Sequence, residues 1–104
     1  MTDFIEVVTT FELTDQARLM SNLILEKKLG ACCSIQPIES IYNWKGVVET
    51  SNEFQLTIKT AKAHGESLKT LILENHPYET PQVIVMPIIG GSEEYLRWIK
   101  EETN

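Results

Sequence analysis

Side chains alternate between two faces along the first segment of the chain, from Phe4 to Phe11. One face carries Ile5, Val7, Thr9 and Phe11, and the other carries Glu6 and Thr10. Successive side chains of a β-strand point to opposite sides of the sheet, so a period of two predicts a strand here.

The period then changes to that of a helix, with apolar side chains at Ala17, Met20, Leu23 and Ile24. Thr14 is the candidate N-cap, because a hydroxyl can accept a hydrogen bond from the first-turn amides. Lys27 and Lys28 fall in the predicted last turn. Gly30 stands where a left-handed residue would end the helix.

Two long segments with strand character, residues 31–44 and 47–60, flank Lys45-Gly46, which suits a tight turn. Pro37 interrupts the first segment and predicts a bulge or a sheet edge, because proline has no amide hydrogen to donate. An arm of 14 residues reaches about 46 Å when extended. A domain of this size is only roughly 35 Å across. The arms must therefore bend at Pro37 or project beyond the core.

The rest of the chain alternates helix and strand once more. Leu68, Leu71 and Ile72 form a helical stripe ending at Asn75, and the apolar residues 82–88 predict a central strand. Ser92 then caps a last helix. The order β-α-β-β-α-β-α predicts an α+β fold: a ferredoxin-like antiparallel sheet with helices on one face, an extended central hairpin and a C-terminal helix. We expect one domain over residues 1–104.

Apolar side chains are concentrated at the predicted hairpin tip, namely Ile41, Tyr42, Trp44, Val47 and Val48. Projecting arms would expose this apolar surface together with unpaired strand edges. Burial against another copy of the chain would cover both, so the pattern predicts a homo-oligomer. An irregular loop somewhere within residues 36–52 is the alternative.

Charge restricts the partners that the chain can have. Fifteen acidic and nine basic residues give a net charge of −6, which repels nucleic acid and anionic membranes and tolerates cations or neutral ligands. The sequence lacks an apolar run of roughly 20 residues and the basic, then apolar, start of a signal peptide. Two adjacent cysteines are too few for a secreted disulfide framework. We therefore expect a cytoplasmic protein.

Polar chemistry is densest in residues 75–81, Asn-His-Pro-Tyr-Glu-Thr-Pro, between the second helix and the last strand. The two prolines fix φ and hold the intervening side chains on a rigid loop. His76 could ligate a metal or move protons, with Glu79 as a second ligand or base. Alternatively, the prolines only shape a turn, Tyr78 packs and Glu79 is solvated. The residues alone leave both interpretations open.

The two cysteines, Cys32 and Cys33, would point to opposite faces of a strand and cannot grip one metal together. We expect one of them in the core, since free cysteine is among the most buried residue types. The other would reach the surface or a subunit interface, where its thiolate could bind Cu(I) or Zn. His64, near the start of the second helix, is expected to face solvent.

Glu49, Glu53 and Lys59 are separated by even numbers of residues on one predicted strand. They therefore share a face, which would line a polar cleft or simply be solvated. The chain has neither a glycine-rich phosphate loop nor a serine nucleophile motif. We expect a protein that is not an enzyme and requires no cofactor.

Five short segments of the chain form a characteristic combination in a fixed order. They are Leu-Glu-Lys-Lys-Leu-Gly-Ala-Cys at 25–32, Ile-Tyr-Asn-Trp-Lys-Gly at 41–46 with Glu49, Ile-Lys-Thr at 58–60, His-Pro-Tyr-Glu-Thr-Pro at 76–81 and Tyr-Leu-Arg-Trp-Ile at 95–99. In this order and spacing the chain resembles the CutA divalent-cation tolerance family over nearly its whole length. The proline loop and the Tyr-x-Trp-x-Gly tip are specific in combination.

The resemblance implies a ferredoxin-like subunit in a tight homotrimer and a role in tolerance to divalent metals, copper in particular. It also implies that a cysteine on the first strand and two histidines before Pro-Tyr bind copper. This chain has Thr9 and Asn75 at two of those positions and keeps only His76. We therefore expect weak binding of copper or another divalent cation by His76, helped by Glu79, Cys32 or a neighbouring subunit.

The leading hypothesis is thus a non-enzymatic, homotrimeric protein of metal tolerance with a cleft between its subunits. The residues expected to meet there are His76, Tyr78, Glu79 and Thr80 of one chain and Trp44, Glu49 or Lys59 of the same or the next chain. The alternative is a signalling module similar to the PII proteins, which binds a small metabolite between subunits and docks on an unidentified protein partner.

Overall fold

The computed structural model describes residues 3–104 and contains one four-stranded sheet and three α-helices. The elements are β1 (Phe4–Phe11), α1 (Thr14–Glu26), β2 (Cys32–Trp44), β3 (Val47–Ala61), a 3₁₀ turn (Lys62–His64), α2 (Gly65–Asn75), β4 (Ile84–Ile88) and α3 (Glu93–Glu102). The strand order is β2-β3-β1-β4, and every neighbouring pair is antiparallel. The predicted ferredoxin-like α+β fold is confirmed.

The hydrophobic core lies between one face of the sheet and the helices α1 and α2. Val7 of β1 is opposite Ile58 of β3, and both are fully buried. Ile24 of α1 and Ile72 of α2 are buried in the same cluster. Each such side chain contributes about 1.5–3 kcal/mol when it leaves water. Burial of these side chains therefore holds this face of the sheet against the two helices.

Helix α1 begins and ends differently from the prediction. Its N-cap is Leu13 and not Thr14; the side-chain oxygen of Gln16 accepts the Leu13 amide hydrogen at 3.1 Å. Lys27 and Lys28 lie beyond the last helical residue, and Lys28 itself adopts the left-handed conformation, with φ at 57°. The prediction that Gly30 fills that role was wrong.

Gly30 is needed for space. A Cβ atom on this residue would lie 2.6 Å from Cγ2 of Ile58 and 2.8 Å from Cγ2 of Ile24. Both distances are far below van der Waals contact, which is about 3.5–4.0 Å for carbon atoms. The chain entering β2 therefore passes closely over the core, and only glycine fits there.

The central hairpin projects as one unbroken ladder. β2 and β3 pair residue for residue from Cys32–Lys59 to Trp44–Val47, and Pro37 faces Phe54 without a bulge. β2 is an edge strand, where proline is tolerated. Lys45 and Gly46 have φ values of 51° and 82°, as in a type I′ turn. The molecule is 44 Å long and 26 Å by 22 Å in cross-section, so the paired arms extend along its longest dimension.

The last strand is shorter and less central than predicted. β4 covers Ile84–Ile88 and not residues 82–88, and it lies at a sheet edge, paired with β1 alone among the described strands. Ile84, Val85 and Met86 remain 40–47% exposed. The apolar, β-branched composition of this segment therefore belongs to a partly uncovered edge strand.

The C-terminal helix is fixed at both ends. The Ser92 hydroxyl accepts the Tyr95 amide hydrogen at 3.3 Å, which confirms the predicted cap. At the other end, Nε2 of His64 lies 2.6 Å from the backbone carbonyl oxygen of Thr103. The prediction that His64 faces solvent was wrong, because this partly buried imidazole links the start of α2 to the end of α3.

Candidate functional site

An open cavity of about 870 Å³ lies on the face of the sheet opposite α1 and α2, between the hairpin tip and the loop after α2. We call it the cleft. Its lining residues are Thr10, Glu12, Ser40, Ile41, Tyr42, Trp44, Glu49, Ser51, Asn52, Glu53, Tyr78, Glu79, Thr80 and Gln82. They come from β2, β3, the end of β1 and the proline-bounded loop, so the antiparallel sheet brings distant parts of the sequence together.

The structure divides the residues that the sequence singled out. Trp44, Glu49, Tyr78, Glu79 and Thr80 line the cleft together. The other three residues, His76, Lys59 and Cys32, are not part of its lining. Five of the residues expected at a cleft between subunits thus line one cavity within a single chain.

His76 lies behind the cleft, and both its ring nitrogens have partners. Nδ1 accepts the Tyr78 amide hydrogen at 3.1 Å. Nε2 lies 2.9 Å from the Thr10 carbonyl oxygen and 3.1 Å from the Thr9 hydroxyl. Because a carbonyl oxygen only accepts, Nε2 carries the hydrogen and the ring is neutral. Burial lowers the pKa of His76, although the bond to Thr10 and the nearby Glu53 charge oppose this shift.

The position that the CutA resemblance links to a first-strand copper ligand, Thr9, does lie beside His76. Thr9 offers a hydroxyl at that position. A hydroxyl is a much weaker ligand for copper than a thiolate is. In this chain the contact between the two residues is a hydrogen bond that orients the imidazole.

Tyr78 and Glu53 form a hydrogen-bonded pair on the cleft wall. The Tyr78 phenol donates its hydrogen to Oε2 of Glu53 at 2.7 Å, and Glu53 is only 9% exposed. Burial and the adjacent carboxylate both raise the pKa of Tyr78, so the phenol remains a donor. This pair connects the loop after α2 to β3.

The cleft is acidic and aromatic. Its carboxylates are those of Glu12, Glu49, Glu53 and Glu79, and among the described residues no lysine, arginine or histidine lines it. Tyr42 and Trp44 extend the wall toward the hairpin tip. The Tyr42 hydroxyl lies 2.9 Å from that of Ser51, and the Lys45 ammonium lies 5.6 Å from the Trp44 ring centroid. The surface is suited to a positively charged or neutral ligand.

Cys32 and Lys59 form a separate group elsewhere on this face of the sheet. They are directly paired on β2 and β3, and the Lys59 ammonium lies 3.9 Å from Oε1 of Glu6. Cys33 points to the core, as expected for one of the two cysteines, and burial raises the pKa of its thiol to about 11. The predicted metal set of His76, Glu79 and Cys32 is therefore not brought together within one chain.

No group of three or more histidine, cysteine, aspartate or glutamate side chains within residues 3–104 is arranged to hold a metal ion. A metal ion held here would need further ligands from outside these residues. Sequence reasoning also missed Glu12 and Tyr42 as part of the cleft. Glu12 directly follows β1, and no motif marks it. Only the register of the sheet places it beside the loop after α2.

Comparison with known proteins gives a consistent result. A family model described as CutA1 divalent ion tolerance protein matches residues 5–102. The chain is 41% identical over 100 residues to a chloroplastic CutA protein of Arabidopsis thaliana, covering 95% of this chain and 55% of that protein. It is 36% identical to the divalent-cation tolerance protein CutA of Thermus thermophilus, covering 93% of this chain and 95% of that one.

A solved structure agrees with these matches. The crystal structure of CutA1 from Oryza sativa superposes with a TM-score of 0.94 at 38% identity, covering 99% of this chain and 95% of that one. The chain thus spans about half the length of its chloroplastic relative and nearly all of the solved rice chain. In the part of the chain that the structure describes, every helix is too short or too polar to cross a membrane.

Proposed function

The chain belongs to the CutA1 divalent ion tolerance family, and on this premise we propose that it acts in divalent-cation tolerance as a non-enzymatic homotrimer that holds metal ions weakly in its cleft. The observation that carries the proposal is the negative charge of the residues that line the cleft. Four carboxylates face a cavity of about 870 Å³ whose described lining has no basic side chain. Such a cleft concentrates cations from solution.

Two uncovered apolar surfaces support the trimer. One is the hairpin tip, where Ile41 and Val48 are about two-thirds exposed. The other is β4, an edge strand with exposed Ile84 and Val85. Contact between the tip of one copy and the β4 edge of the next would bury both surfaces and satisfy strand edges. It would also allow a neighbouring copy to complete the metal-ligand set.

The proposed metal contacts are the exposed carboxylates of Glu49 and Glu79, and copper is the first ion to test. His76 supports the site indirectly, by holding the amide of Tyr78. A copper ion could reach His76 only by displacing a hydrogen bond to Thr10 or Tyr78. The same two bonds leave His76 without a free nitrogen for acid–base chemistry, which supports the non-enzymatic part of the proposal.

The proposed compartment is the cytoplasm, where unpaired thiols such as Cys32 and Cys33 remain reduced. A second candidate function is a module similar to the PII proteins that binds a small metabolite in the same cleft. The aromatic wall of Tyr42, Trp44 and Tyr78 favours it. The acidic lining restricts such a metabolite to neutral or cationic compounds.

Titration with Cu(II), Cu(I) and Zn(II), alongside light scattering, tests the proposal. We expect a mass about three times the chain's 11.9 kDa and saturable binding of one or three ions per trimer. The Glu49→Gln/Glu79→Gln variant should lose most of this binding. The control, Glu26→Gln/Glu101→Gln, removes the same charge from exposed positions outside the cleft. Equal binding by both variants, or no saturable binding at all, would contradict the proposal.

A further inference from the structure

Within residues 3–104, Glu53 is a buried carboxylate that forms no ion pair. The ion pairs within residues 3–104 join Asp15 to Arg18, Glu6 to Lys59 and Glu66 to Lys69. Glu53 takes part in none of them, and its described polar contact is the neutral phenol of Tyr78 on Oε2. A carboxylate that has lost most of its water normally needs a paired cation. Glu53 can therefore offer its charge to a cation that enters the cleft.

The surroundings of Glu53 are unsuited to a hard metal ion within one chain. Six or more oxygen ligands satisfy an ion such as Ca²⁺, whereas Oε2 of Glu53 is already shared with Tyr78. No group of three potential ligand side chains forms in the described chain. A cation that needs fewer acceptors fits this position better.

Aromatic rings supply the rest of the binding surface. Trp44, Tyr42 and Tyr78 line the same cleft as Glu53. The faces of such rings attract ammonium and guanidinium groups, and the Lys45 ammonium already lies 5.6 Å from the centroid of the Trp44 ring. The volume of about 870 Å³ is within the usual range for small-molecule sites.

We propose that the cleft binds an organic cation, an ammonium or guanidinium group whose charge is held by Glu53 and whose carbon chain lies against Trp44 and Tyr42. This inference rests on the proposed function for its choice of site, but the ligand is different. The cation has two possible sources: a free amine, or a lysine or arginine side chain of a second copy of this chain.

Calorimetric titration with 1,4-diaminobutane tests the proposal, with 1,4-butanediol as the uncharged analogue. We expect saturable binding of the diamine and none of the diol. Glu53→Gln should weaken diamine binding by at least about tenfold, since a buried charged contact is lost. Glu26→Gln makes the same change of charge on the exposed end of α1 and should leave the affinity within about twofold. Trp44→Leu should also weaken binding.

Light scattering on the same samples distinguishes the two sources. If the diamine does not bind and Glu53→Gln alone lowers the assembled mass, the cation is a side chain of a second copy. Equal binding of diol and diamine, equal effects of the two Glu→Gln variants, or no effect on either binding or mass would overturn the inference. A Zn(II) titration reports on the proposed function separately. If Zn(II) binds but the diamine does not, and Glu53→Gln leaves the mass unchanged, only the organic-cation site is refuted. If the diamine binds or Glu53→Gln alone lowers the mass, but Zn(II) does not bind, only the metal proposal is refuted.

Discussion

The imidazole ring of His76 lies parallel to the phenyl ring of Phe11, with centroids 4.4 Å apart and an angle of 8° between the planes. Phe11 belongs to the buried core. Tyr78, two residues after His76, lies on the cleft wall. His76 accepts the Tyr78 amide hydrogen through Nδ1. The His76 ring therefore connects the loop that carries Tyr78 and Glu79 to the buried core.

This arrangement predicts a stability that depends on pH. Burial lowers the pKa of His76 below its ordinary 6.5, so the unfolded chain binds the proton more tightly than the folded chain. The stabilisation from His76 is complete above pH 6.5 and is lost as the pH falls through the lowered folded-state pKa. We expect the free energy of unfolding to fall more for the natural chain than for His76→Gln between about pH 7.5 and about pH 5.5.

Urea unfolding at fixed protein concentration measures this difference. The chain has two histidines, so His64→Gln in both backgrounds isolates the effect of His76. Groups distant from position 76 contribute alike to both variants and cancel in the comparison. Parallel pH profiles for the natural chain and His76→Gln would contradict the prediction.

Removing the hydroxyl group of Tyr78 should destabilise the protein, because Glu53 then loses a hydrogen-bond donor. Tyr78→Phe leaves the buried carboxylate without its hydrogen bond of 2.7 Å, and we expect a loss of about 1–3 kcal/mol. Tyr42→Phe removes a hydrogen bond from a more exposed tyrosine and should cost less than about 1 kcal/mol. Chemical denaturation compares the two. In the Glu53→Gln background the effect of Tyr78→Phe should shrink, and an unchanged effect would refute the coupling.

Much of the fold could be predicted because hydrophobic periodicity determines burial locally. The alternation along β1 and the helical stripe of α1 each report which face is covered. The errors lie where geometry depends on distant residues. Gly30 matches a helix-ending signal. It is required, however, because the side chain of Ile58 on β3 leaves no room for a Cβ atom. The apolar residues of β4 suggested a central strand because periodicity records hydrophobicity and does not identify which strand lies beside it.

The candidate site was only partly predictable for a related reason. The proline loop marks Tyr78, Glu79 and Thr80 in sequence, and all three line the cleft. Glu12 joins them through the strand register, which no local motif encodes. The residue type of His76 predicts a metal ligand or a proton carrier, whereas its hydrogen bonds depend on the backbone of β1. Residue type predicts what a side chain can do, and neighbours decide which of these it does.

Gly30→Ala should be strongly destabilising despite adding only one methyl group. The new Cβ would lie 2.6 Å from Ile58 and 2.8 Å from Ile24, and overpacking of this kind costs about 1–3 kcal/mol. Gly91→Ala is the matched control, since the nearest atom to its Cβ would be in Leu96 at an ordinary 3.5 Å. Thermal unfolding should show a clear loss for the first variant and little change for the second. Equal melting temperatures would refute the steric role of Gly30.

Trp44→Glu tests the proposed assembly at the hairpin tip. If a second copy covers Trp44, the substitution buries an unpaired carboxylate and should cost several kcal/mol in each interface. We then expect the mass measured by light scattering to fall from about three times 11.9 kDa toward that of one chain. The melting temperature should fall with it, because association stabilises the folded state.

Leu19→Glu provides the control for this experiment. Leu19 lies on α1 and is 74% exposed, more than Trp44 at 38%, so the same carboxylate is added to an apolar position that the proposed interface does not use. We expect this variant to keep the mass and melting temperature of the natural chain.

Because Trp44 is the less exposed of the two within one chain, a larger effect there could arise from local packing alone. The dependence of the melting temperature on protein concentration separates the two causes: it should be steep for the natural chain and absent for Trp44→Glu. A Trp44→Glu variant that retains the trimer mass would refute the hairpin interface.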